Sequence, residues 1–124
     1  MTGVPGDGSP TGPLSATDFH VLMVLADGPS YGYAIMKAVE SNSGSALTPE
    51  IGSMYRVLSR LMSEGWVEEV ESPADEPSSG RGRARRYYGL TRSGMLAART
   101  EARRLAEVVE LARTRDLLVG RGPA

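Results

Sequence analysis

Apolar residues recur at helical spacing through the first half of the chain, then give way to short runs without it. Phe19, Leu22, Met23 and Ala26 mark one face of a first helix. Ser15 serves as its N-cap, Asp18 sits in the first turn, and Asp27-Gly28-Pro29 stops it. Tyr31, Ile35, Ala38 and Val39 share one side of a second helix, expected to be capped by Ser30 and to end near Ser43-Gly44. Thr48, Pro49 and Glu50 then predict the start of a third: a capping hydroxyl, proline at the first helical position, and an acid near the positive dipole end. That helix should run to about Glu64, with Gly65 as its left-handed exit.

After Gly65 the periodicity changes. Trp66 to Glu71 and Arg85 to Leu90 read as two short strands, joined by a flexible loop rich in Pro, Gly and Ser from Ser72 to Arg83. Thr91 caps a final helix expected to continue to about Val119. Met1 to Leu14 has the composition of a disordered arm, and residues 120–124 that of a tail. The order helix, helix, helix, strand, strand, helix predicts a mainly α protein with a two-stranded β-hairpin wing. It is an α+β, winged helix-turn-helix architecture. In that architecture the third helix enters the major groove and the wing lies along a neighbouring groove or backbone. Residues 15–91 would form this unit and residues 92–119 a C-terminal dimerisation helix.

The third helix carries the candidate chemistry. At about 100° per residue, Ile51, Met54, Tyr55, Leu58, Leu61 and Met62 fall on one face. Gly52, Ser53, Arg56 and Arg60 gather on the other. Arg56 or Arg60 has the reach for a bidentate contact to a guanine edge, while Ser53 and the helix start at Thr48 suit a phosphate. An ordinary solvated face would show the same periodicity. In the wing, Ser78-Ser79-Gly80-Arg81-Gly82-Arg83 is flexible and positive, with Arg85 at the following strand, which suits backbone or minor-groove contact. Tyr87 and Tyr88 read as sheet packing, and His20, between apolar residues of the first helix, as structural.

Along the final helix, Met95, Ala98, Ala102, Leu105, Val109 and Ala112 are spaced three, four, three, four, three, a short heptad seam. It is read as packing on helix one, through Phe19, of its own or a partner subunit. A two-fold dimer then implies a palindromic operator with half-sites about one helical turn apart.

Composition adds exclusions. With 124 residues, one domain is expected. There is no cysteine, which rules out disulfides and thiolate chemistry, and a single histidine leaves no nucleophile and base pair to name, so an enzyme is not expected. No cofactor or metal is expected either. No apolar run approaches the ~20 residues of a membrane span, and the first residues lack the features of a signal peptide, which leaves a cytoplasmic protein as the default. The net charge is −1, yet Arg81, Arg83, Arg85, Arg86 and Arg92 form a local basic stretch that follows Glu68, Glu69, Glu71, Asp75 and Glu76. Phosphate binding depends on such placement rather than on the total. The near-neutral total keeps a second reading open, an effector-sensing or protein-interaction module with weak DNA affinity.

Four segments in order carry a resemblance: Tyr31-Gly32-Tyr33; Leu47-Thr48-Pro49 through Gly52-Ser53-Met54-Tyr55-Arg56-Val57-Leu58; Leu61-Met62-Ser63-Glu64-Gly65-Trp66-Val67; and Arg85-Arg86-Tyr87-Tyr88-Gly89-Leu90-Thr91-Arg92-Ser93-Gly94. Together they resemble the PadR family of bacterial transcription regulators, specifically its short members with one C-terminal helix. The resemblance spans about Asp18 to Leu111. It implies a dimeric winged helix-turn-helix protein, usually a repressor of nearby genes, with Tyr55 at the DNA interface rather than wholly in the core. It also implies small aromatic or amphipathic effectors near the dimer interface, where Phe19, Met23, Met95 and Leu96 are candidate lining. The wing loop is long for the family, and the N-terminal arm lies outside what the resemblance covers.

Overall fold

The structure, a computed structural model, describes residues 12–73 and 85–119. Its elements run α1 (Ala16–Ala26), β1 (Ser30–Tyr31), α2 (Gly32–Asn42), α3 (Ile51–Ser63), β2 (Val67–Val70), β3 (Tyr87–Leu90) and α4 (Arg92–Thr114). This is the winged-helix order expected from the pattern, with one additional strand. The sheet is antiparallel in the order β1-β3-β2, so β3 is central.

The additional strand comes from Ser30, which does not cap α2. Ser30 pairs with Tyr88 and Tyr31 with Tyr87, and Tyr31 becomes the N-cap of α2, in extended conformation and without a side-chain cap bond. The pairing gives partners to backbone groups that an isolated extended dipeptide would leave to water. The rings of Tyr31 and Tyr87 add a tilted contact at 5.4 Å.

A second difference concerns the start of α3. Thr48 is exposed and is not the cap; Glu50 takes that place, and α3 begins at Ile51, two residues beyond Pro49. The local signal loses to an anchor upstream. Leu47 packs against the core, and its N–H donates to Ser43 Oγ at 3.0 Å. Thr48 to Glu50 carry the chain across to the helix start without regular structure, with Glu50 extended.

The other termini follow the expected chemistry. Ser15 Oγ accepts from Asp18 N–H at 3.0 Å to cap α1, and Thr91 Oγ1 accepts from Gly94 N–H at 2.9 Å to cap α4. Gly65 adopts φ +83° between α3 and β2, a conformation that side chains with a Cβ rarely take. The helix α4 stops at Thr114, short of Val119. Asp116 turns left-handed at φ 61°, and the N–H groups of Asp116 and Leu117 fold back onto the carbonyls of Arg113 and Ala112.

Val21, Leu22, Ile35, Val39, Met54, Leu58, Leu61 and Tyr88 are the largest fully buried side chains. They join all three N-terminal helices to the central strand. The start of α4 is fastened to the same unit by Trp66, Ala97 and Ala98. Thr91 donates its hydroxyl to the Gly65 carbonyl and its N–H to the Trp66 carbonyl. A Cβ on Gly94 would fall on that same Trp66 carbonyl, so α4 lies directly against the start of β2. Further along, Glu101 is buried and accepts from Arg104 Nε and Nη2 at 3.1 and 2.6 Å. It also accepts from the backbone of Leu14, which ties residues just before α1 to α4. Past Glu101 the character of α4 reverses, and Val108, Val109 and Leu111 stand exposed. Among the described residues, no helix is long and apolar enough to cross a membrane.

Candidate nucleic-acid interface

The third helix is held from two sides. Met54, Leu58 and Leu61, at spacings of four and three, are fully buried and set its roll. Arg60 then fixes it to α1. Its Nη1 and Nη2 donate to the two carboxylate oxygens of Asp18, both at 2.8 Å. The Arg60 side chain is 52% exposed and that of Asp18 only 9%. The hydrogen bond to Asp18 raises the already high pKa of Arg60, against the cost of partial burial. Arg60 was expected to share an outward face with Arg56. It is exposed there, but its fork also pairs with Asp18, a contact between positions far apart in sequence that periodicity cannot register.

With that clamp in place, α3 presents Gly52, Ser53 and Arg56 outward. Arg56 is exposed, and its Nη2 donates to Ser53 Oγ at 3.1 Å. This loose bond leaves most of the guanidinium facing water. Ile51 and Tyr55 flank the buried stripe but are not in it, at 40% and 45% exposure. Tyr55 therefore stands outside the core. Its ring lies over Gly32 at the start of α2, so closely that a Cβ on Gly32 would sit 2.7 Å from the phenol carbon and oxygen.

Tyr55 also opens onto a larger feature. Tyr31, Tyr33, Tyr55, Arg85 and Arg86 line one cleft of about 640 Å³ between the start of α2, the middle of α3 and the root of the wing. The Arg85 guanidinium lies over the Tyr31 ring, 4.3 Å from its centre, a cation–π contact that points it along the cleft wall. Arg86 Nη2 donates to Glu69 Oε1 at 3.1 Å. That hydrogen bond holds the Glu69 carboxyl below its usual range and the Arg86 guanidinium above its own. Tyr88 is buried in the sheet, and burial pushes its phenol up. Tyr87 is likewise buried, so the pair packs in the sheet as read from the sequence. Tyr31, Tyr33 and Arg86 were not singled out as site residues. The signal was available in the resemblance segments that contain them, but only folding brings those segments to one cleft. Arg81 and Arg83, named for the wing, lie outside the described residues.

The proposed dimer residues occupy one side of α1 and α4. Phe19, Ala102, Leu105 and Val109, with Ala106, Glu110 and Arg113, line a shallow groove of about 500 Å³. Ala98 is buried within the subunit, Met95 and Ala112 are half-buried, and Met23 and Leu96 are exposed. His20 is half-buried on α1, and its Nδ1 is enclosed with no hydrogen-bond partner among the described residues.

Comparison with known proteins places this geometry. Residues 21–100 match the Transcriptional regulator PadR-like family. Over 88 residues, 71% of the chain, the sequence is 39% identical to an uncharacterized 37.1 kDa protein in transposon TN4556 of Streptomyces fradiae. The chain spans only 22% of that relative's length. In fold it is similar to a PadR family transcription regulator from Clostridium difficile R20291, with a TM-score of 0.64 and 24% identity, covering 81% of this chain and 97% of that one. It is also similar to a PadR-like transcriptional regulator from Bacillus cereus, with a TM-score of 0.63 and 21% identity, covering 84% of this chain and 92% of that one. With a winged helix of this order and a family match over most of its length, the chain belongs to the PadR-like family of transcriptional regulators.

Proposed function

We propose that the protein represses transcription by binding a palindromic operator as a homodimer, with α3 in the major groove of each half-site. One observation carries this reading: the exposed Tyr55 flank of α3, next in sequence to Arg56, and the root of the wing meet at one surface, where Tyr55 and Arg85 line the same cleft. A recognition helix and a wing that share a surface can engage one duplex together. In this reading Arg56 contacts a base edge, Ser53 and Tyr55 contact the backbone, and Arg81, Arg83 and Arg85 follow the phosphates beside the wing. Thr48 stands on the exposed loop before α3, within the same approach.

The dimer is built on α4. Phe19 of α1 and Ala102, Leu105 and Val109 of α4 line one shallow groove along it, and Val109 is exposed there. A second α4 laid there removes apolar surface from water on both chains. Met23, Met95 and Leu96 then flank the junction as lining for a small apolar effector.

The test is a binding series with duplex DNA from the region upstream of the protein's own coding sequence and a scrambled duplex, across salt concentrations. A base-reading regulator binds the upstream duplex more tightly at every salt, with log K falling by about 0.9 per phosphate neutralised for each log unit of salt. Equal affinity for both duplexes rules out operator recognition there.

A further inference from the structure

Arg86 precedes β3 and closes its fork on Glu69 of β2. Nη2 donates to Oε1 at 3.1 Å and Nε to Oε2 at 3.4 Å. In the antiparallel register Glu69 faces Tyr88, which makes Arg86 its diagonal neighbour on the sheet. Both side chains are solvent-exposed, the setting in which water and salt weaken an ion pair most. The same guanidinium lines the cleft with Tyr31, Tyr33, Tyr55 and Arg85. The buried Tyr88 phenol is near enough for Arg86, Tyr55 and Glu69 each to act on its titration. An anion that enters this cleft therefore meets a cation whose donors already face a carboxylate.

We propose that Glu69 is an intramolecular competitor for a DNA phosphate, holding the Arg86 fork in the free protein and yielding it when a duplex docks. The inference rests on the DNA-binding reading above and adds the regulation of its wing-root contact. Carboxylate and phosphodiester oxygens accept the same planar fork of donors, so one guanidinium cannot serve both at full strength. The exchange costs little because the pair is exposed. Its effect is to lower the affinity for any sequence, since the phosphate contact carries no base information. A regulator gains from this restraint because random-sequence duplex vastly outnumbers operator. The acidic run of Glu68, Glu69 and Glu71 beside the arginine stretch thus includes one member with a defined partner and role.

The experiment measures binding of the full chain to a fluorescein-labelled random-sequence duplex by anisotropy, over a salt series. The proteins compared are wild type, Glu69→Gln, Glu69→Ala, Arg86→Ala and the Glu69→Gln/Arg86→Ala double variant. Glu69→Gln should tighten binding about two- to fivefold, the scale of one released exposed pair. It should also steepen the salt slope by up to about one. Glu69→Ala must give the same gain, because only the charge is at issue. Arg86→Ala should weaken binding, and in that background Glu69→Gln should change nothing. An unchanged affinity in Glu69→Gln overturns the proposal. So does an equal gain in the Arg86→Ala background, which would mean simple repulsion between Glu69 and the duplex. Wild-type protein without salt-dependent duplex binding would instead overturn the DNA reading, and this inference with it.

Discussion

Arg60 and Asp18 meet fork to fork, two contacts of 2.8 Å joining α3 to α1 across 42 positions of sequence. The carboxylate is nearly enclosed and the guanidinium is half in water, so the two partners are unequal. Removing Arg60 strands a buried charge, whereas neutralising Asp18 leaves an arginine that water can serve. Arg60→Ala should destabilise the fold by about 1–3 kcal/mol, and Asp18→Asn by less, since an amide oxygen still accepts. Urea denaturation of both variants measures this. Unchanged stability in Arg60→Ala would mean that the clamp holds nothing.

In the proposed reading, with the Arg60 fork held by Asp18, base reading is assigned to Arg56. Arg56→Ala should cost about 1–3 kcal/mol on the operator and relax selectivity at one base position. Arg81→Ala and Arg83→Ala should weaken operator and random DNA alike. Competition binding with operator variants separates the two patterns. An equal loss on specific and random duplexes for Arg56→Ala would remove its base-reading role.

Gly32 gives a test of Tyr55 that leaves Tyr55 itself in place. A methyl group at Gly32 cannot coexist with the ring at 2.7 Å, but the half-exposed ring is free to swing into solvent. Alanine also favours the helix over glycine, by up to about 1 kcal/mol in a helix interior. Gly32→Ala should therefore leave the melting temperature unchanged or slightly raised while weakening duplex binding by about 1 kcal/mol, one neutral hydrogen bond. A melt and a binding curve on the same sample decide it, and full affinity would show that the ring position is immaterial to DNA.

How much of this was legible before folding differs by kind of interaction. Ser15, Gly65 and Thr91 act locally, and their chemistry named the ends they close. Met54, Leu58 and Leu61 are a local period and were read as such. Thr48 and Pro49 carried a strong local signal that the tether of Leu47 to Ser43 overrode. Ser30 looked like a cap because its strand partner, Tyr88, is remote in sequence. Tyr55 was assigned to the apolar face by angle alone, and it took Gly32, on another helix, to explain why it rests outside. The cleft shared by Tyr31, Tyr55 and Arg85 is wholly a product of tertiary contact.

Self-association should depend on the C-terminal half of α4. Leu105→Asp places a charge in the groove beside Phe19, Ala102 and Val109, where it would be desolvated by a second chain. The expected outcome is a monomer by analytical ultracentrifugation with helical content retained. A dimer that survives this substitution places the interface elsewhere.

Acid should loosen the junction between Leu14 and α4. The Arg104 hydrogen bond, with a smaller contribution from the Leu14 backbone, holds the Glu101 carboxyl below the ordinary value of 4.5. A depressed carboxylate pKa stabilises the fold above 4.5, and that contribution is lost as pH falls through the lower folded value. The wild type should therefore lose stability more steeply than Glu101→Gln on the acid side of pH 4.5. Urea midpoints across that range report the difference, and parallel curves would show that Glu101 does not contribute.

At Gly94 and Trp66 there is no room for a joint. The helix α4 leaves the reading unit as a fixed spoke, bolted by the Thr91 bonds and by direct backbone contact. For two chains joined through such spokes, a change in the angle at which they cross must swing both reading heads. A few degrees at the hub becomes ångströms at the rim, and the two heads would then no longer match the helical repeat of DNA. If the dimer proposed above forms, it would need no moving part inside either subunit to let go of a duplex.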